Sequence, residues 1–315
     1  MTRAEFADRW AIRLGPARWK SGEPLAPLTT FKVGGRAEWL AEIGTIDELR
    51  ALLHEAALAG VEVHVLGGGS NVLVADNGVP GVVLRLHLAA IEQPEPSVVR
   101  AEAGVTINGL VRWTVGRGLA GLEAWAGTPG TVGGAVYGNA HWGGQNIGDL
   151  IATVLLIDRA GLERRVPASE MQFAYDTSRL KSTGEILLSA DFRVTAGDTR
   201  ALRETARHSL HYRKATQPLA MPSAGCIFQN PAAAVPMPEG IPRSAGALVD
   251  RAGLKGHRVG GARISDRHAN FIVNEGRASA RDIRTLIELA RTNVRERFGV
   301  ELLDEIVYLG TFEHG

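Results

Sequence analysis

The chain has 315 residues, 45% of them apolar and 22% charged, with a formal net charge of +1. That size and balance predict two or three packed units with a sizeable core, exclude a disordered or fibrous chain, and give no bulk field that would recruit nucleic acid. A single cysteine, Cys226, excludes an internal disulfide and any four-cysteine zinc site.

Residues 1–28 read as a helical or irregular lead-in ending at Pro24 and Pro27. Charges are scattered through its first fifteen residues with no apolar stretch between them, so no signal peptide is expected and a cytoplasmic location is. A strand is predicted over Ala37–Ile43. A helix follows, because Thr45 and Glu48 have capping-box spacing and Leu49, Leu52, Leu53, Ala56 and Ala57 form an apolar stripe that Gly60 ends. Val61–Leu66 reads as a buried strand running into Gly67-Gly68-Gly69-Ser70-Asn71, a β-α-β unit that delivers a glycine loop.

Short strands are predicted at Val72–Ala75, Val82–Leu86 and Val98–Ala103, with a helix near Ile107–Arg117. A second glycine cluster covers Gly121–Gly144. Strands return at Ala152–Asp158 and Glu185–Val194. The longest apolar run, Ile151–Ile157, is far short of a membrane span, so no membrane partner is expected. Thr199–Lys214 reads as a helix with a basic end, and a domain boundary is placed near it. A proline-rich loop from Pro218 to Pro242 precedes the clearest helix. Ser279 and Asp282 cap that helix, Ile283, Leu286, Ile287, Ala290, Val294 and Phe298 form its stripe, and Gly299 stops it. The expected class is α+β in at least two domains.

Glycine is in excess, with 38 residues against a usual share of about 7%. The loop Gly67–Asn71 exposes backbone N–H groups without side chains, and the Ser70 hydroxyl and Asn71 amide add donors suited to a diphosphate. It is neither a Walker loop nor a Rossmann fingerprint, and a tight turn is the alternative. The stretch Gly127-Thr128-Pro129-Gly130-Thr131-Val132-Gly133-Gly134, continuing to Gly138-Asn139-Ala140, is too long for a simple turn. Two such loops suggest a large ligand with a diphosphate and flat rings, against a glycine-packed helix contact as the other reading.

Five stretches resemble one family. Thr30-Phe31-Lys32-Val33-Gly34-Gly35, the two glycine loops, Pro222–Pro231 around Gly225-Cys226-Ile227, and Ser265–Asn274 occur in the order found in the UDP-N-acetylenolpyruvoylglucosamine reductases. The His268–Asn274 stretch is similar to the family's second type, which lacks an extra tyrosine-bearing loop. The resemblance implies a non-covalently held FAD on a fold of the vanillyl-alcohol-oxidase kind. It implies a lead-in over 1–28, an FAD-binding domain over 29–200 in two subdomains split near 80, and an α+β substrate-binding domain over 201–315. It also implies NADPH as hydride donor, a UDP-sugar substrate, a monomer, and a role in peptidoglycan precursor synthesis, hence in cell shape and division.

The resemblance places the flavin pyrophosphate on Gly67, Gly68, Gly69, Ser70 and Asn71 and on Gly127, Thr128, Pro129, Gly130, Val132, Gly133, Gly134 and Asn139. Cys226 falls where the family has its proton donor, often a serine, and Glu305 matches the catalytic glutamate. Tyr175, Asn230 and His268 match substrate-facing positions. The reaction adds hydride at C3 of an enolpyruvyl group and a proton at C2, so the site must hold charge at the carboxylate and deliver a proton. A thiol is acidic enough to serve.

There are departures. The family places an arginine directly after the tyrosine, where this chain has Asp176. Arg179 is the expected substitute, one turn away if the segment is helical. Asp304 stands where proline is common, and Gln229 and Ala247 replace lysines, so Arg213 and Lys214 are the candidates to supply positive charge. A flavin-dependent oxidase on the same FAD-binding half and an inactive flavin- or UDP-sugar-binding protein remain the alternative readings.

Overall fold

A computed structural model describes residues 1–312 of the chain. The fold is α+β and divides into two compact units built from interleaved segments. The first comprises Met1–Gly22, Glu38–Gly68 and Gly81–Tyr212, and the second Glu23–Ala37, Gly69–Pro80 and Arg213–Gly315. The lines at 28/29 and 200/201 expected from the sequence do not coincide with these.

In the first unit, residues 3–18 form helix α1 (Arg3–Arg18), which is kinked at Gly15, where the backbone leaves helical geometry, and is started by a complete capping box between Thr2 and Glu5. The lead-in is core rather than appendage. Phe6 and Trp10 are fully buried, and Trp19 stacks on Trp39 with ring centroids 6.1 Å apart. Helix α2 (Ile46–Leu58) buries Leu49, Leu52, Leu53 and Ala56 but leaves Ala57 exposed. Thr45 caps it as expected; the Glu48 carboxylate, however, accepts from Gly44 N–H and pairs with Arg18. Together they cover a four-stranded sheet in the order Trp19–Pro24, Arg36–Ile43, Val79–Leu86, Val63–Val65. The last strand is shorter than Val61–Leu66 and lies at the sheet edge with Val65 exposed, not buried as its apolar composition suggests.

A five-stranded antiparallel sheet runs Glu163–Pro167, Ile151–Ile157, Ile186–Arg193, Val98–Glu102, Ile91–Glu95. Its central strand is buried on both faces: Ile186 and Leu188 join the core with Trp10, while Leu187, Ala190 and Phe192 join the core with Trp125. The second core is closed by helices α3 (Ile107–Gly116) and α4 (Val132–Tyr137), so part of the second glycine cluster is helical. Strand Ile186–Arg193 leads on to α5 (Leu180–Thr183) upstream and α6 (Thr199–Thr216) downstream.

The second unit carries α7 (Ala245–Arg251), α8 (Ala280–Phe298) and an antiparallel sheet of Arg258–Val259, Ala262–Ile264 and Ile272–Asn274. Of the α8 stripe, Ile283, Leu286, Ile287, Ala290 and Val294 are buried as the sequence predicts, Phe298 is only partly buried against the same core, and Gly299 takes the left-handed cap. Truncating Leu286 to alanine there would cost about 2–5 kcal/mol. The Asp76 carboxylate caps the same helix through Ala280 and Arg281 N–H at 2.8 and 2.9 Å. Asn274 donates to the Phe31 carbonyl at 2.9 Å, and Val307–Leu309 pairs in parallel with Val72–Val74. These links explain why residues 23–37 and 69–80 belong to this unit.

Candidate active site

The two glycine loops meet in the first unit. A Cβ at Gly68 would lie 2.7 Å from the Gly130 Cα, and one at Gly67 would lie 2.8 Å from the Thr131 hydroxyl. Only backbone fits at either place. Asn108, one residue into α3, staples the loop by accepting from Gly127 N–H at 2.7 Å and donating to the Thr128 carbonyl at 3.1 Å. The result is a strip without side chains over Gly67, Gly68, Gly130 and the exposed Gly134, which fits the backbone approach a dinucleotide diphosphate needs.

Not every residue expected to touch the cofactor presents a donor to it. The N–H groups of Val132 and Gly133 bond to the carbonyls of Val105 and Ala103, and that of Gly134 to the Thr131 hydroxyl. Asn139 is buried in the left-handed region, donating to the Ala174 carbonyl at 2.7 Å and accepting from Gly148 N–H at 3.0 Å. These residues shape the loop from behind. Pro129 is exposed at its tip. Of the first loop, Gly67 and Gly68 belong to the first unit. Gly69, Ser70 and Asn71 belong to the second, where the Asn71 amide donates to the Glu305 carbonyl at 3.0 Å.

The segment Phe173–Lys181 straps onto the second glycine loop. The Ser178 hydroxyl donates to the Tyr137 carbonyl at 2.8 Å, and the Tyr175 ring lies 4.8 Å from that of His141. Asp176 is buried with φ of +53°, in a turn closed by reciprocal bonds between Ala174 and Thr177. The segment is therefore not helical, and Arg179 does not reach Asp176. Its guanidinium instead makes two bonds to Glu185, at 2.8 and 3.2 Å. Lys181 is a cation on Asp176: its ammonium bonds the Asp176 carbonyl and carboxylate, the latter at 3.3 Å. Burial holds His141 below the ordinary imidazole range, with the Asp176 charge opposing, and burial and Asp176 together push the Tyr137 phenol up.

In the second unit, the extended chain Cys226–Gln229 runs against Leu303–Glu305. Glu305 N–H donates to the Ile227 carbonyl and Gln229 N–H to that of Leu303, both at 2.8 Å. Cys226 is half-buried beside this ladder. Burial, with the Glu305 charge second, pushes its thiol up to about 12, against a bond from the Asn270 side chain. Asp304 faces away, held by Arg291 at 2.6 Å and the Tyr308 hydroxyl at 2.9 Å, so the departure from proline gives a structural anchor.

His268 is half-buried and its Nδ1 accepts from Asn270 N–H at 3.3 Å, which leaves the proton on Nε2. Burial and then the Lys255 charge lower its pKa, so it is a neutral donor. Asn230 is exposed and accepts from Ala245 N–H at 3.0 Å. Arg213 is buried, which lowers its pKa to about 10, while Lys214 is exposed and its carbonyl accepts from Arg267. Sequence reasoning missed Asn108, Lys181 and Asn270. Lys181 and Asn270 lie in stretches that the resemblance covers, the family motif over Phe173–Lys181 and Ser265–Asn274.

A family model described as an FAD binding domain matches residues 37–166, and one described as the UDP-N-acetylenolpyruvoylglucosamine reductase C-terminal domain matches residues 217–309. A UDP-N-acetylenolpyruvoylglucosamine reductase of Synechococcus sp. (strain JA-3-3Ab) is 40% identical over 299 residues, covering 94% of this chain and 93% of the relative. The reductase 2 of Symbiobacterium thermophilum is 39% identical over 297 residues, with 94% and 93% covered. A crystal structure of the reductase from Thermus caldophilus aligns with a TM-score of 0.77 at 32% identity, covering 92% of this chain and 98% of that one.

Proposed function

We infer the activity from one premise: the chain belongs to the UDP-N-acetylenolpyruvoylglucosamine reductase family. It is an NADPH-dependent flavoprotein that reduces UDP-N-acetylglucosamine enolpyruvate to UDP-N-acetylmuramate, a step in peptidoglycan precursor synthesis. The chemistry FAD supplies when bound is hydride transfer, received from NADPH and passed to C3 of the enolpyruvyl group.

The observation that supports the residue-level reading is the ladder between Ile227 and Glu305, which ties the residue after Cys226 to Glu305 at 2.8 Å. In this reading Cys226 holds the proton destined for C2 and keeps it at neutral pH because burial and Glu305 disfavour the thiolate. Glu305 positions the carboxylate end of the substrate. His268, a neutral donor, and Asn230 bind the sugar nucleotide, with Arg213 and Lys214 supplying positive charge. Tyr175 faces the substrate, and Lys181 rather than Arg179 takes the place of the family's arginine. Gly67, Gly68, Gly127, Gly130 and Gly134 bring backbone to the diphosphate.

The same reading makes the enzyme a cytoplasmic monomer with no nucleic-acid or membrane partner. Its near-neutral charge supports this, and gel filtration with sedimentation tests it. No helix among the described residues is long and apolar enough to cross a membrane.

The experiment is spectroscopic. The purified protein should be yellow, bleach with NADPH under anaerobic conditions, and recover its colour on adding the enolpyruvyl sugar nucleotide. Bleaching without recovery would refute the assignment of the second half-reaction.

A further inference from the structure

Asn71 closes the first glycine loop and is half-buried. Its side-chain amide nitrogen donates to the Glu305 carbonyl at 3.0 Å, and its own backbone carbonyl accepts from Val307 N–H at 2.9 Å. A carbonyl only accepts, so the amide nitrogen, not the amide oxygen, must face Glu305. The two bonds straddle Ile306 and lead into the parallel pairing of Val72 with Val307. The side-chain bond extends that pairing back to Glu305.

The other side of Glu305 is held as well. Its N–H donates to the Ile227 carbonyl at 2.8 Å. Ile227 is itself anchored, because its N–H donates to the Asn270 carbonyl at 2.8 Å. Phe228 exchanges bonds of 2.9 and 2.7 Å with the Asn270 side chain. Both peptide groups that flank the Glu305 Cα are thus tied, the N–H to the chain that carries Cys226 and the carbonyl to the loop asparagine. A glutamate carboxylate hangs on a chain of rotatable bonds with a few staggered wells each, so the direction of Cα–Cβ limits where it can reach. Fixing both peptide groups fixes that direction. Of the two ties, the one to Asn71 comes from a side chain, and a substitution can remove it.

We propose that Asn71 is the positioning residue for Glu305, aiming its carboxylate by holding the Glu305 carbonyl, and that its amide is not spent on the flavin diphosphate. This rests on the reading of Glu305 as the acid that positions the carboxylate end of the substrate. The residue that ends a cofactor loop then sets the acid of the second half-reaction.

The test uses the FAD-loaded enzyme with Asn71→Ala, Glu305→Ala and the double variant. Asn71→Ala is expected to retain its flavin and to be reduced by NADPH at the parent rate. Reoxidation at saturating enolpyruvyl sugar nucleotide should slow by about 10- to 100-fold, the usual effect of misplacing a reacting group by about 1 Å. In the Glu305→Ala background the same substitution should add little, because the group it aims is gone. Loss of flavin from Asn71→Ala overturns the proposal and returns the amide to the diphosphate. Unchanged reoxidation overturns it as well, and so does an equal slowing in both backgrounds, which marks Asn71 as merely structural. Asn71→Leu is neutral, similar in volume and without a donor, and carries the same readouts if Asn71→Ala does not fold. A failure of the Glu305 reading looks different, because Glu305→Ala alone would then reoxidise at the parent rate.

Discussion

The backbone N–H of Glu305 donates to the carbonyl of Ile227 at 2.8 Å, so the residue after Cys226 and the acid near the C-terminus share one rung of a short antiparallel ladder. Acid and thiol are thereby aligned by main chain rather than by side-chain packing. Side-chain substitutions at Cys226 should leave that ladder intact and report on chemistry.

Cys226→Ala is accordingly expected to keep its flavin and its reduction by NADPH. Reoxidation by the enolpyruvyl sugar nucleotide should fall by about 10²–10⁴, the usual contribution of a positioned general acid. Cys226→Ser should retain substantial turnover, since a hydroxyl occupies the same place. Stopped-flow absorbance separates the two half-reactions, and normal reoxidation in Cys226→Ala would remove the assignment.

The pH profile follows from the raised thiol. An acid whose pKa is pushed up to about 12 stays protonated across the neutral and mildly alkaline range. The reoxidation rate should therefore show no descending limb from Cys226 between pH 7 and 10. A limb near the ordinary thiol value of about 8.5 that disappears in Cys226→Ser would contradict the burial argument.

Much of the fold was legible where the sequence pattern is local. Helix α8 carries its cap, its stripe and its stop within twenty-one residues, and the structure reproduces all three. The interleaving of the two units was not legible, because it depends on distant bonds such as Asp76 to Ala280 and Asn274 to Phe31. No periodicity encodes those. The backbone around Arg179 was not legible for a related reason: one helical turn separates it from Asp176 only if the backbone is helical, and Asp176 sits at φ +53°. Lys181, five residues on, is what the actual turn delivers.

Arg179 and Lys181 should therefore separate experimentally. Burial raises the Glu185 carboxyl, but bonds from Thr183, Arg164 and Arg179 outweigh it and hold the pKa below the usual range. Stability from such a group is present above the unfolded value near 4.3 and is lost as pH falls through the folded one. Arg179→Ala should cost about 1–3 kcal/mol at pH 7 and less at pH 3, with KM for the sugar nucleotide little changed. Lys181→Ala should instead raise that KM. Denaturant melts at both pH values, with steady-state kinetics, decide it. A raised KM in Arg179→Ala with unchanged stability would return the role to Arg179.

The glycine strip makes the last prediction. At Gly68 an added Cβ would lie 2.7 Å from the Gly130 Cα, closer than van der Waals contact allows, and both sides of the contact are backbone. Gly68→Ala should therefore push the two loops apart and lose flavin, read as the ratio of absorbance at about 450 nm to that at 280 nm. Gly116→Ala is the matched control. It lies in the last turn of α3, is exposed, and an added Cβ there has nothing within 4 Å. Helix propensity alone predicts that it gains up to about 1 kcal/mol in stability. Full flavin content in Gly68→Ala would mean that the close approach of the loops is incidental to the cofactor. Loss of flavin in both variants would mean that the site responds to general destabilisation, and that the strip has no special part in holding the diphosphate.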